Sequence, residues 1–261
     1  MPRLPLGLVC LWLPASAAAQ DELISAAITA VTTNEPLVAL TFDACPSPKG
    51  PRGFDRKVFE ILRREQVPAT VFVSGKWVED HPEAALELAS DPLIELGNHS
   101  YDHSQFSQMS SERARADIQR TDRIIASLNR ESIGFRPPFG DWSSWLTLKA
   151  DGQPIVLWNV VSGDAKGRVT VPRMIETVTA AVEPGSIVVF HINGRSPGTK
   201  KALPVIIRRL RARGLGFAKV TDLLRVPDAV IVNAQPHRWR KPPPVLRGKG
   251  AVSSGSVARS R

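Results

Sequence analysis

The sequence predicts an α/β fold, a closed or nearly closed β/α barrel of about seven parallel strands in a single domain. Three observations carry this expectation. Short apolar runs alternate with segments of helical period over about 200 residues. The first run, Leu37-Val38-Ala39-Leu40-Thr41-Phe42, is almost continuously apolar, as in a strand buried on both faces. Several runs end directly on a charged or imidazole residue, which is where barrels of this kind place their chemistry.

Residues 37–42 form the first expected strand, and residues 55–65 the first helix, with Val58, Ile61 and Leu62 on one face. A strand at 69–73, a short helix at 82–89 and a strand at 93–96 follow. Residues 112–128 give the longest helix, turning Ile118, Ile124, Ile125 and Leu128 toward the core. Strands at 155–161 and 186–190 are strongly apolar. Helices are expected at 170–182 and 202–213, a last strand at 215–220 and a closing turn at 222–224. The residues after the first strand, Asp43-Ala44-Cys45-Pro46, contain no glycine-rich phosphate fingerprint.

Composition bounds the rest. Of 261 residues, 43% are hydrophobic and 23% charged, which suits a globular body. The net charge of +9 is unevenly spread. Eight of the 34 basic residues lie outside residues 4–228, which hold all 25 acids, so that segment is only +1. A basic groove for nucleic acid is therefore not expected. Residues 1–19 read as a secretory signal: Arg3, a short apolar stretch with Trp12, then Ala17-Ala18-Ala19 before Gln20. The expected location is secreted or periplasmic, with no transmembrane segment after the signal is removed. Cys10 lies in the signal, which leaves Cys45 as the sole remaining cysteine and excludes an intramolecular disulfide. The expected domain spans residues 20–226. Residues 227–261, with Pro242-Pro243-Pro244 and seven Lys or Arg, read as a disordered basic tail.

Chemistry gathers at the strand ends. Asp43 follows the first strand. Asn98-His99-Ser100-Tyr101-Asp102-His103 follows the third, and Gly134-Phe135-Arg136-Pro137-Pro138-Phe139-Gly140 follows the long helix. The strand from Ile155 runs into Val161-Ser162-Gly163-Asp164, and the strand from Ile187 into Phe190-His191. His99 and His103 are spaced i, i+4, which on a helical turn lets two imidazoles share a metal. Taken singly, Asp43 also suits a buried hydrogen-bonded carboxylate and His191 a satisfied core histidine; the joint placement points to a site.

In this order, Thr41-Phe42-Asp43, His99-Ser100-Tyr101-Asp102-His103, Arg136-Pro137-Pro138-Phe139, Asp164 and Phe190-His191 resemble the five motifs of the polysaccharide deacetylases. These are the proteins with a NodB homology domain, also called carbohydrate esterase family four. The resemblance covers about residues 37–224. It implies a distorted β/α barrel, a divalent metal, usually Zn2+, and removal of N-acetyl groups from an amino-sugar polymer or oligomer such as chitin or peptidoglycan. It also implies roles. His99 and His103 hold the metal, and Asp43 is the general base. Arg136 grips a carboxylate of the site through a fork-shaped contact. The backbone N–H near Phe139 helps stabilise the oxyanion. His191 is the general acid, and Asp164 pairs with it and raises its pKa. Trp142 suits stacking on a sugar ring or plain packing. A monomer is expected.

Two departures stand out. The family usually has a second Asp after the first, as third metal ligand, and here that residue is Ala44. Water completing a looser shell, Asp43 or Cys45 moving in, Asp55 reaching across, and loss of metal and catalysis all remain open. In the fourth motif Val161 and Ala165 stand where the family usually has Asp and Trp. An O-acetyl esterase and a non-catalytic glycan-binding protein are the competing readings.

Overall fold

The structure, a computed structural model, describes residues 27–46, 53–141, 153–165 and 169–234. The expected signal and Trp142 lie outside them. The described chain runs β1 (Ala27–Thr32), β2 (Leu37–Ala44), α1 (Arg56–Arg64), β3 (Ala69–Val73), α2 (Gly75–Asp80), α3 (Pro82–Ser90), β4 (Ile94–Asn98) and α4 (Ser111–Ser127). It continues with β5 (Ile155–Val156), β6 (Val160–Val161), α5 (Val171–Ala181), β7 (Ile187–His191), α6 (Thr199–Ala212), β8 (Gly216–Phe217), α7 (Val220–Leu223) and β9 (Val230–Asn233).

The architecture is α/β with a parallel sheet, as the alternation predicts. Strands lie in the order β4-β3-β2-β7-β6, β8 pairs with the start of β2, and every one of these pairings is parallel. A second sheet has the order β5-β1-β9. Single parallel bridges from Asn98 to Phe135 and from Phe135 to Ile155 carry the order from β4 to β5. Among the described residues no continuous ladder makes that junction, and no pairing that closes the barrel is detected.

β2 is the central strand. Its side chains are buried on both faces, as its apolar run requires. In register, Asp43 lies beside Phe72 of β3 and His191 of β7. The Phe42 and Phe190 rings stack at 5.4 Å, which fastens the two strands that carry the site. The helices pack their apolar stripes on this sheet. Ser110 caps α4 by accepting from the Arg113 N–H, and Thr170 caps α5 by accepting from the Arg173 N–H.

The structure corrects several expectations. The strand at 155–161 is two short pieces. Leu157, Trp158 and Asn159 leave the ladder because the Val156 and Leu157 carbonyls accept from Arg136, and the Asn159 side chain accepts from the Ile187 N–H. The last strand is only Gly216–Phe217. The Val220 N–H donates to Thr70 Oγ1 rather than to a ladder, and α7 starts there. The boundary at residue 226 is too early: β9 pairs antiparallel with β1, and Asp228 accepts from the Asn34 N–H at 2.7 Å. Val230-Ile231-Val232 is a short apolar run surrounded by tail-like composition, which masked it. β1 and α2 were not expected.

Candidate active site

Parallel pairing brings the C-terminal ends of β2, β4 and β7 to one edge of the sheet. There they surround a pocket of about 360 Å³ lined by Asp43, Cys45, His99, His103, Phe139 and His191, with Trp158 and Arg195 on its wall. Five of the seven described site residues expected from sequence line this pocket, and the other two stand one contact away, Arg136 on Asp43 and Asp164 on His191.

Asp43 ends the site face of β2. Thr41 and Asp43 share that face by strand alternation, and Arg136 Nη1 donates to both Thr41 Oγ1 and Asp43 Oδ1 at 2.8 Å. Arg136 is fully buried. Its Nε and Nη2 donate to the Val156 and Leu157 carbonyls, each at 3.1 Å. The expected fork-shaped grip is therefore a single contact to the carboxylate, and the rest of the guanidinium is spent on backbone. The guanidinium carbon lies 3.9 Å from the centre of the Phe72 ring. Gly97 makes this stack possible, since a Cβ there would lie 2.4 Å from the Phe72 ring. Burial pushes the Asp43 carboxyl up, but Arg136, His99 and His191 outweigh it and hold the pKa below the usual carboxylate value.

His99 and His103 do meet, but not on a helix. Residues 99–103 form a loop in which Ser100 and His103 take φ of 66° and 62°. The loop is built from buried polar anchors. The Asn98 side chain accepts from the Ser100 N–H and donates to the Ile118 carbonyl and Asp122, and Ser74 Oγ donates to the His99 carbonyl. The two rings end 4.9 Å apart, centre to centre. His99 Nδ1 donates to the Arg136 carbonyl at 2.8 Å, because a carbonyl only accepts. That leaves Nε2 as a bare lone pair, buried and without a hydrogen-bond partner. Asp43 Oδ2 lies 3.7 Å away. Burial lowers both imidazole pKa values, that of His103 to about 3 with help from His99, so both rings are neutral near pH 7. Two neutral imidazoles, His99 buried and His103 half-buried, with a lone pair lacking a donor, fit a bound cation.

Phe139 sits at the rim, 49% exposed, with φ 59° and its ring edge-on to His103 at 4.6 Å. His191 stands beside Asp43 on the neighbouring strand β7. Its Nδ1 and Asp164 Oδ1 are 2.8 Å apart, and its N–H donates to Asp164 Oδ2. Thr199 Oγ1 also donates to Asp164 Oδ2, so the carboxylate is fixed from the first turn of α6. Burial pulls the His191 pKa down, but Asp164 outweighs it and the net shift is upward. The site thus holds an ionised carboxylate and a readily protonated imidazole in one pocket, with two neutral imidazoles beside them.

Ala44 packs in the apolar core cluster with Val58 and Val73. Asp55 stands at the start of α1 without a side-chain cap bond and is not among the clustered ligands. Cys45 is: its Sγ and the ring nitrogens of His99 and His103 lie within 4.8 Å of one another. Burial and then the Asp43 charge push the Cys45 thiol pKa well up. Trp158, Arg195 and the anchors Asn193 and Thr199 were not expected. Only Thr41, two residues before Asp43 on the same strand face, carried a local signal.

The family model described as polysaccharide deacetylase matches residues 30–152. A peptidoglycan-N-acetylglucosamine deacetylase of Bacillus cereus is 29% identical over 199 residues, covering 75% of this chain and 91% of that protein. A chitooligosaccharide deacetylase of a Bradyrhizobium species is 30% identical over 203 residues, covering 71% of this chain and 90% of its own length. Among solved structures, a pseudoenzyme of carbohydrate esterase family four from Bacillus anthracis superposes with a TM-score of 0.66 at 29% identity, over 77% of this chain and 69% of that one. A mutant of that pseudoenzyme, 30% identical with the same TM-score over 77% of this chain and 71% of its own, has restored enzymatic activity.

Proposed function

Because this chain belongs to the polysaccharide deacetylases, hydrolases that act on carbon–nitrogen bonds, we propose that it is a metal-dependent N-deacetylase of an amino-sugar polymer or oligomer. Peptidoglycan and chitin-like chains are the substrates its relatives' names suggest. The signal-like residues 1–19 support work outside the cytoplasm, secreted or periplasmic. The observation that carries the reading is the placement of an ionised Asp43 and an Asp164-held His191 side by side in one pocket.

His99 and His103 would hold the cation, with Zn2+ favoured by imidazole ligands. When bound, it supplies Lewis-acid polarisation of the acetamide carbonyl and a more acidic water. The protein's own groups do the rest. Arg136 occupies Asp43 Oδ1, so Oδ2 is the oxygen that accepts a proton from the attacking water. The backbone N–H at Phe139 assists the oxyanion. As the C–N bond breaks, protonated His191 gives its Nε2 proton to the leaving amine, since Nδ1 is committed to Asp164. Acetate and a free amino sugar result, and the proton on Asp43 restores the starting state through solvent. Phe139 and Trp142 are the proposed sugar contacts.

A second reading is a glycan-binding protein without catalysis. Ala44 and the likeness to a pseudoenzyme favour it. The test is acetate release from N-acetylglucosamine oligomers and from acetylated xylan, for the native sequence and for Asp43→Asn. The deacetylase reading expects release from the oligomers and a drop of about 10²–10⁴-fold in turnover for Asp43→Asn. Release from xylan alone supports an O-acetyl esterase. Oligomer binding with no release under any divalent metal supports the non-catalytic reading.

A further inference from the structure

We propose that Cys45 is the third protein ligand of the metal site, replacing the carboxylate that Ala44 cannot supply and making a mixed site of two imidazoles and one thiolate. This rests on the reading above only in that the pocket holds a divalent cation.

The backbone of β2 decides which residue faces the pocket. Side chains alternate along a strand. Asp43 and Cys45 line the pocket, whereas Ala44 between them packs in the apolar cluster. The residue that reaches the imidazoles is therefore number 45. Its position is fixed on both sides. The Ser74 N–H donates to the Ala44 carbonyl at 3.2 Å, and the buried Asn193 side chain donates to the Cys45 carbonyl at 2.8 Å. Cys45 is 2% exposed and has no disulfide partner.

The donor atoms already converge. Sγ of Cys45 and the ring nitrogens of His99 and His103 lie within 4.8 Å of one another. A tetrahedral zinc, with about 2.0 Å to nitrogen and about 2.3 Å to sulfur, needs donor separations of roughly 3.3–3.5 Å. Modest rotation of side chains closes the difference. An independent observation points to a ligand at this spot: His99 Nε2 is buried, 1% of its residue being exposed, and finds no partner, while its tautomer is locked by the Arg136 carbonyl. Coordination forms an Sγ–metal bond and releases the thiol proton to solvent. Two nitrogens and a thiolate suit a borderline-soft cation such as Zn2+ and disfavour Mg2+ and Ca2+, which take oxygen ligands. Three protein ligands also match the number that catalytic zinc sites use.

The test uses the full chain with Cys10→Ser, so that Cys45 is the sole thiol, titrated with Co2+ and followed by optical absorption. The expected result is one Co2+ per chain with a near-ultraviolet thiolate-to-cobalt band. Cys45→Ala should lose the band and bind more weakly by at least about 100-fold, the upper end of what supporting residues alone contribute. Cys45→Asp should recover affinity without the band. X-ray absorption of the Zn2+-loaded Cys10→Ser chain, which leaves Cys45 untouched, should show one sulfur at about 2.3 Å. One metal bound through nitrogen and oxygen only, with Cys45→Ala unchanged in affinity, overturns this inference and leaves the metal-dependent reading standing. No metal bound by any of these chains overturns both.

Discussion

Replacing Arg136 by Met tests whether the guanidinium is what makes a buried Asp43 tolerable. Met fills similar space against Phe72 but donates nothing. Four hydrogen bonds disappear, to Asp43, Thr41 and the Val156 and Leu157 carbonyls. Breaking a buried ion pair from one side costs about 3–5 kcal/mol, because the other charge is left uncompensated. Each carbonyl stranded by the change adds about 1 kcal/mol or more, which packing of the Met side chain offsets in part. The expected loss is about 5 kcal/mol, a large share of the roughly 5–15 kcal/mol by which domains are stable. Urea denaturation at pH 7 measures it. Adding Asp43→Asn should recover about 2 kcal/mol, as contacting charges couple. The pH dependence should change sign as well. With Arg136 present, the lowered Asp43 pKa contributes stability above the unfolded value of about 3.9, and this is lost as pH falls through the lower folded value. With Met at 136, burial dominates and the folded pKa lies above about 3.9, so stability declines as pH rises from there. A loss below about 1 kcal/mol, or no recovery on adding Asp43→Asn, would refute the reasoning.

Asp164→Asn removes the charge that raises the His191 pKa, so the basic limb of the pH–rate profile should move to lower pH with little change in KM; a limb that stays in place contradicts the His191–Asp164 assignment. The same pair contributes stability below about pH 6.5 that fades as pH rises through the raised His191 value. Gln66 follows α1 with φ 51°, so Gln66→Gly should raise stability by about 1 kcal/mol in thermal or urea melts. Gly185→Ala should cost about 4 kcal/mol or more, since φ is 81° and a Cβ would lie 1.7 Å from the carbonyl oxygen of Val31 within β1; a near-neutral result in the same melts would show that β1 shifts freely.

Much of the fold was legible because its signals are local. β3 has the expected bounds, and α1, α3, α4 and α5 fall within a residue or two of theirs, since apolar period and caps such as Ser110 are written in the sequence. What was lost depends on distant partners. The break in the strand at 155–161 exists because Arg136 takes two of its carbonyls, and a side chain 20 residues upstream leaves no periodic mark. β9 is a strand only because β1 offers it an edge. At the pocket, Asp43, His99, His103, Asp164 and His191 were singled out by their places after strands, and Arg136 by its place after the long helix. The i, i+4 spacing paired His99 with His103, whose rings do meet, but on a loop with left-handed residues rather than on a helical turn. Asn193, Thr199 and Trp158 reach the site only through tertiary packing. The choice of Cys45 over Asp43 or Asp55 needed the strand register, which shows Ala44 turned to the core.

The most direct measurement is a metal titration coupled to acetate release. The chain is stripped with a chelator, given Zn2+ in fractions of an equivalent, and assayed on N-acetylglucosamine oligomers at each step. A deacetylase built on this pocket is inactive when stripped, gains activity in proportion to added metal and stops gaining at one equivalent per chain. Oligomer binding with no acetate at any metal loading would contradict the account and place the chain with the pseudoenzymes of its family.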